Sequence, residues 1–181
     1  MKVLFVCTGN LCRSPMAEGL LRHELEARGC DDFETASVGT WAVAGEPATE
    51  EAIAVSRSHG IDISSHRSRP LEAEEIDVAD LVLAMTSVHA QEVTSLVPDA
   101  RSKTMLLKEM AETEIAPLWP DASPEERVEV LLAGTRPRWR RKLDVADPIG
   151  RPLRVYERCF AELQDAVEIL ANILCEDEVR P

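Results

Sequence analysis

Residues 2 to 7 (KVLFVC) form a short, continuous run of β-branched and aromatic character, the pattern of a strand buried on both faces of a parallel sheet. It stops abruptly at Thr8-Gly9-Asn10, a tight loop. Beyond it Met16, Leu20, Leu21 and Leu25 recur at helical spacing, with Ser14 predicted as the N-cap, Pro15 at the first helical position and Gly29 as the stop. Residues 33 to 38 (FETASV) predict a second strand, Pro47 to His59 a helix ended by Gly60, and Asp62 to Pro70 a loop. Another apolar run, Leu81 to Met85, precedes a helical pattern over 88–97, and a fourth strand is predicted at 104–107. Strands alternating with helices predict an α/β fold, a four-stranded parallel sheet flanked by helices on both faces.

Residues 112 to 146 break this rhythm with Pro117, Pro120, Pro124 and Pro137, two of the three tryptophans, and the basic run Arg136-Pro137-Arg138-Trp139-Arg140-Arg141-Lys142. They read as an elaborated connection containing one short helix near 124–133. Leu153 to Leu174 then predicts a long amphipathic helix, with Val155, Cys159, Phe160, Leu163, Val167, Leu170 and Leu174 near a 3.6 period.

Composition narrows the possibilities. The 181 residues carry 33 Asp+Glu against 20 Lys+Arg, a formal charge of −13, and 45% hydrophobic residues. This fits one domain over residues 1–181, burying roughly 70% of the surface its unfolded chain exposes, and excludes general disorder. The negative balance excludes a nucleic-acid partner, which needs a basic footprint. An anionic substrate must therefore be held by local chemistry. No apolar run reaches the roughly 18 residues of a membrane span, and the start is too short in apolar residues for a signal peptide, so we expect a cytoplasmic protein. The five cysteines (Cys7, Cys12, Cys30, Cys159, Cys175) are odd in number and scattered, so reduced thiols are expected. The absence of a His/Cys/carboxylate cluster at ligand spacing argues against a metal or other cofactor.

The chemistry concentrates in Cys7-Thr8-Gly9-Asn10-Leu11-Cys12-Arg13-Ser14. A loop between a strand and a helix N-terminus presents backbone N–H groups and the positive end of the helix dipole, a cradle for a phosphate-like oxyanion. The same field favours a thiolate, so Cys7 is expected to be nucleophilic near neutral pH. Arg13 offers a planar fork to two oxygens, and Ser14 a hydrogen bond to the sulfur. A lone cysteine at a strand end is ordinarily a small buried hydrophobe. The preceding strand, the Gly and Asn within, and the Ser-Pro after it supply the context that a functional motif requires.

The run VLFVCTGNLCRSPMAE resembles the signature of the low-molecular-weight protein tyrosine phosphatase family. The resemblance continues through Thr35-Ala36-Ser37-Val38-Gly39-Thr40, Gly60-Ile61-Asp62-Ile63-Ser64-Ser65-His66, Ala79-Asp80-Leu81-Val82-Leu83-Ala84-Met85 and Asp147-Pro148. It implies a metal-independent phosphatase acting on phosphorylated proteins. Cys7 is the implied nucleophile, Arg13 the oxyanion binder and Asp147 the general acid. The implied substrate-binding residues are Thr8, Gly9, Asn10, Leu11, Cys12 and Ser14 of the loop, with Trp41 on the wall of the crevice. Ser37 and His66 join Asn10 in a network that supports the loop, and Cys12 is either a redox partner of Cys7 or an inert second cysteine. Asp144, three residues before Asp147, is the decoy for the acid.

The resemblance leaves the substrate open between phosphotyrosine and phosphoarginine. Leu11 supplies apolar bulk where arginine phosphatases have Thr, which favours phosphotyrosine; Ile149-Gly150 and Met85-Thr86 look more like the arginine enzymes. We take phosphotyrosine as the expectation and phosphoarginine as the alternative. Arsenate reduction would need resolving cysteines that residues 81 to 97 lack, and a non-catalytic phosphoprotein-binding module has no support while Cys7, Arg13 and Asp147 are all present. The basic run is either a solvated face or positive potential at the crevice mouth. Oligomeric state is not legible.

Overall fold

The computed structural model describes residues 1–112, 122–134 and 139–175. The strands are β1 (Lys2–Cys7), β2 (Glu34–Gly39), β3 (Leu81–Ala84) and β4 (Thr104–Leu106); the helices are α1 (Arg13–Arg28), α2 (Glu50–Ser58), α3 (Ala73–Asp77), α4 (Ser87–Leu96), α5 (Pro124–Gly134) and α6 (Leu153–Leu174). The four strands form one parallel sheet in the order β2-β1-β3-β4. The expected fold class is therefore the observed one.

The continuous apolar character of β1 has a direct cause: both of its faces are covered. Val3, Phe5 and Cys7 join α1, α2, α5 and α6 in the larger core, whereas Leu4 and Val6 join Ile76 of α3 and Val93 of α4 in a second core. Alternate strand residues point to opposite faces, so each layer receives every second side chain. The amphipathic stripe of α6 places Cys159, Phe160, Leu163, Val167, Leu170 and Leu174 in the larger core.

Sheet order fixes where a ligand can sit. The chain leaves β1 for β2 on one side and later returns to place β3 on the other, so the strand order reverses beside β1. Open α/β sheets bind ligands outside the carboxyl ends of their strands at such a point, and the Cys7 loop occupies that end.

Two expectations are corrected. Ser14 does not cap α1: the helix begins at Arg13, Cys12 holds the N-cap position, and no side chain caps it. The Ser14 hydroxyl is engaged inside the loop instead. The thiols are not all reduced, because Cys30 and Cys175 are joined in a disulfide, with Cα atoms 6.3 Å apart. Helices α1 and α6 run side by side from the loop: Cys12 contacts Tyr156 at one end, and Arg28 donates to Asn172 at the other. This brings together two cysteines 145 residues apart. Cys7, Cys12 and Cys159 are free and buried.

The predicted helix near 124–133 is α5. The rest of the expected connection is described only in part, since residues 113–121 and 135–138, including Arg136, Pro137 and Arg138 of the basic run, lie outside the described residues.

Candidate active site

Cys7 ends β1, and after five intervening residues Arg13 opens α1. The loop between them turns sharply because Asn10 adopts a left-handed backbone, φ 56°, a conformation Asn tolerates better than most residues. Gly39 lies so close that a Cβ there would sit 2.5 Å from the Thr8 carbonyl oxygen and 2.8 Å from the Asn10 nitrogen. Only glycine fits against the loop.

Asn10 is fully buried and every polar group it carries has a partner. Its Nδ2 donates to Ser14 Oγ at 2.9 Å and Ser37 Oγ at 2.8 Å. Its Oδ1 accepts from the Arg69 backbone N–H at 2.8 Å, and its carbonyl accepts from His66 Nε2 at 2.8 Å. The proton directions follow. Because Ser14 Oγ accepts from Asn10, its own proton is free for Cys7 Sγ, 3.0 Å away; Ser37 donates in turn to Glu18 at 2.6 Å. The Asn10 N–H also reaches Cys7 Sγ at 3.2 Å. Two donors thus converge on one sulfur, which stabilises negative charge there. Burial pushes the His66 pKa down, against the raising effect of its bond to Asn10, so its role is that of a neutral donor.

Arg13 is buried, with three partners among the described residues. Nη1 donates to the Val145 carbonyl at 3.3 Å, and Nη2 to Thr8 Oγ1 at 3.2 Å and Asp147 Oδ2 at 2.6 Å. The Asp147 side chain is 42% exposed and that of Arg13 5%, so the pair spans from the interior to the surface. Cys7, Thr8, Gly9, Leu11, Cys12, Arg13, Asp147 and Ile149 line one cavity of about 120 Å³. Cys7 and Arg13 are buried within it; Ile149 is half exposed.

The structure assembles eleven of the twelve residues singled out from sequence into the cavity wall or into hydrogen bonds with the loop's side chains and carbonyls: Cys7, Thr8, Gly9, Asn10, Leu11, Cys12, Arg13, Ser14, Ser37, His66 and Asp147. Trp41 is different. Its backbone N–H donates to the Thr8 carbonyl, but its side chain is 77% exposed, donates to Glu92 and does not line the cavity. Asp144 is structural: its carboxylate accepts from the Ser87 backbone N–H at 2.7 Å, at the start of α4. In the described part of the basic run, Arg140 and Lys142 both pair with Glu112, and Arg101 stacks on Trp139.

Cys12 is held by Thr49 Oγ1 at 3.5 Å and Tyr156 Oη at 3.7 Å, and burial pushes its pKa up. Tyr156 and His89 are buried polar residues beside the loop that pattern reading missed. His89 sits at the third residue of α4 with Thr86 as N-cap, the spacing of a capping box with His in place of Glu. That spacing was the available signal.

The low-molecular-weight phosphotyrosine protein phosphatase family model matches residues 2–121. The chain belongs to this family. It is 36% identical over 173 residues to the protein-arginine-phosphatase of Geobacillus stearothermophilus, covering 96% of this chain and 95% of that protein. It is 39% identical over 115 residues to the low-molecular-weight protein-tyrosine-phosphatase Etp of Escherichia coli K12, covering 64% of this chain and 74% of that one. The crystal structure of a low-molecular-weight protein tyrosine phosphatase from T. tengcongensis superposes with a TM-score of 0.73 at 37% identity, covering 94% and 97% of the two chains. The phosphatase belongs to a family of cysteine-based hydrolases whose reaction passes through a phosphocysteine. Among the described residues no helix is long and apolar enough to cross a membrane, and no group of His, Cys, Asp and Glu is arranged to hold a metal.

Proposed function

We propose that the phosphatase hydrolyses phosphotyrosine in proteins, with Cys7 as nucleophile, Arg13 as oxyanion binder and Asp147 as general acid and base. The observation that carries this is the single cavity in which the Cys7 sulfur, the Arg13 guanidinium and the Asp147 carboxylate meet between the apolar side chains of Leu11 and Ile149. The phosphoryl group lies on the loop and the Arg13 fork, and the phenyl ring passes between Leu11 and Ile149 toward the surface.

The Cys7 thiolate attacks phosphorus in line, forming the S–P bond as the P–O bond to the tyrosine oxygen breaks. Asp147 gives its proton to that oxygen, so a neutral phenol departs. Water then attacks phosphorus, Asp147 takes its proton, and the S–P bond breaks to release inorganic phosphate and the thiolate. Ser14 and the Asn10 N–H hold the sulfur's charge at the start and the end of the cycle. Arg13 and the loop stabilise the equatorial oxygens throughout. Thr8, Gly9, Asn10, Leu11 and Cys12 contribute as the loop that frames the phosphoryl group; Ser37 and His66 support it through Asn10. Trp41, on the outer surface, contacts the protein flanking the phosphosite.

Phosphoarginine is the second reading, favoured by the near full-length match to an arginine phosphatase. Comparing kcat/KM on matched phosphotyrosine and phosphoarginine peptides tests the choice. Phosphotyrosine should be preferred, and Leu11→Thr should shift the ratio toward phosphoarginine. A hundredfold preference of the wild type for phosphoarginine overturns the first reading.

A further inference from the structure

His89 is 3% exposed and engaged at both ring nitrogens. Nε2 lies 2.9 Å from Thr8 Oγ1, and Nδ1 lies 3.0 Å from Thr86 Oγ1. The same Thr8 oxygen accepts from Arg13 Nη2 at 3.2 Å. A line of hydrogen bonds therefore runs from the first turn of α4 through the loop to the guanidinium.

The neutral Nδ1–H tautomer of His89 satisfies every group along this line. Arg13 can only donate, so Thr8 Oγ1 presents a lone pair to it. Its hydroxyl proton is then free to point at His89, with Nε2 as the unprotonated nitrogen of this tautomer. Nδ1 carries the ring proton and gives it to Thr86 Oγ1, which also accepts the His89 backbone N–H at 3.3 Å as the N-cap of α4. This arrangement calls for a neutral ring. Burial and the nearby Arg13 charge supply it, pushing the His89 pKa down to about 4.

We propose that His89 is a positioning residue for Arg13, acting through the Thr8 hydroxyl to keep one lone pair aimed at Nη2. This rests on the assignment of Arg13 as the phosphoryl binder. The consequence is specific to turnover. Asp147 shares Nη2 with Thr8 in this structure, yet in catalysis it must serve the leaving group. While Asp147 is so engaged, Thr8 and the Val145 carbonyl are the partners that hold the fork in place. A histidine needed only to cap α4 would be satisfied by Thr86; the bond to Thr8 leaves the helix and ends on the loop.

The test compares wild type, Thr8→Val, His89→Leu, the double variant and His89→Gln. It reads kcat/KM on p-nitrophenyl phosphate, competitive inhibition by inorganic phosphate, and phosphate protection of Cys7 against iodoacetate. Thr8→Val and His89→Leu should each weaken phosphate binding and lower kcat/KM by about tenfold, the scale of one hydrogen bond to a charged group. The double variant should lose no more than either single one, because both break the same line. His89→Gln, which retains an acceptor, should recover part of the loss. Losses that multiply, or a folded His89→Leu with unchanged phosphate inhibition, overturn the proposal. If His89→Leu does not fold, Thr8→Val against His89→Gln decides by the same readouts. Wild type without turnover would refute the assignment of the catalytic groups instead; phosphate protection of Cys7 reads the Arg13 site without turnover and keeps the two failures distinct.

Discussion

Arg13 Nη2 lies 2.6 Å from Asp147 Oδ2, although the two residues are 134 positions apart in the chain. The contact joins the group assigned to bind the phosphoryl oxygens to the group assigned to protonate the leaving group. In the proposed cycle a bound phosphoryl dianion competes with the Asp147 carboxylate for the same donors, and that competition turns Asp147 toward the leaving oxygen. Removing the carboxylate therefore has opposite consequences for the two functions. Asp147→Ala should lower kcat about 10² to 10⁴-fold on phosphotyrosine, with a smaller loss on p-nitrophenyl phosphate, whose leaving group needs its proton less. Inhibition by inorganic phosphate should be unchanged or stronger, as measured by steady-state kinetics.

Asn10 combines a left-handed backbone with side-chain bonds to Ser14, Ser37 and Arg69. Asn10→Gly keeps the backbone easy and removes the side chain; Asn10→Ala removes the side chain and adds backbone strain of about 1–2 kcal/mol. Both should lower kcat, and Asn10→Ala should be the less stable of the two in urea unfolding. Equal stability would show that the backbone conformation is not a constraint here.

His89 gives stability a pH dependence. Its pKa is lowered on folding from 6.5 to about 4, so the unfolded chain binds a proton that the folded chain refuses. The contribution, about 3 kcal/mol at most, is complete above pH 6.5 and is lost progressively as pH falls toward 4. His66, shifted in the same direction, adds to it. Unfolding free energies measured between pH 7.5 and pH 4.5 should fall less steeply in His89→Leu than in wild type.

The Cys30–Cys175 bond closes a loop across most of the chain and lies at the far ends of α1 and α6 from Cys7. In the chain-entropy account, closing so long a loop contributes as much as about 5 kcal/mol. Cys30→Ser, or reduction of the wild type, should lower the Tm by several degrees while leaving kcat at 25 °C unchanged. A Tm indifferent to dithiothreitol would show that the bond contributes nothing to stability.

Much of this site is legible in the chain because its parts are local. The strand of residues 2 to 7, the glycine and asparagine of the turn, and Arg13 six positions after Cys7 all fall within one short segment. Sheet and helix periodicity carry the layers for the same reason. What escapes is convergence from a distance. His89 and Tyr156 look like ordinary members of helical patterns until packing turns them toward the loop. Cys30 and Cys175 show no spacing that marks them as partners, because the parallel course of α1 and α6 is what unites them. Ser14 carries a proper cap residue type, but Asn10 and Cys7 claim its hydroxyl. The Asp144 and Asp147 carboxylates are separated by surroundings and not by sequence: one faces the start of α4, the other Arg13.

In the proposed cycle Cys7 carries the phosphoryl group. Rapid quenching of the Asp147→Ala enzyme with p-nitrophenyl phosphate, followed by peptide mass spectrometry, checks this, since that leaving group departs without the acid while loss of the base slows hydrolysis of the intermediate. One phosphoryl group on the Cys7 peptide and no turnover by Cys7→Ser are expected. Phosphate release that persists in Cys7→Ser, or a phosphoryl group found on another residue, would contradict it.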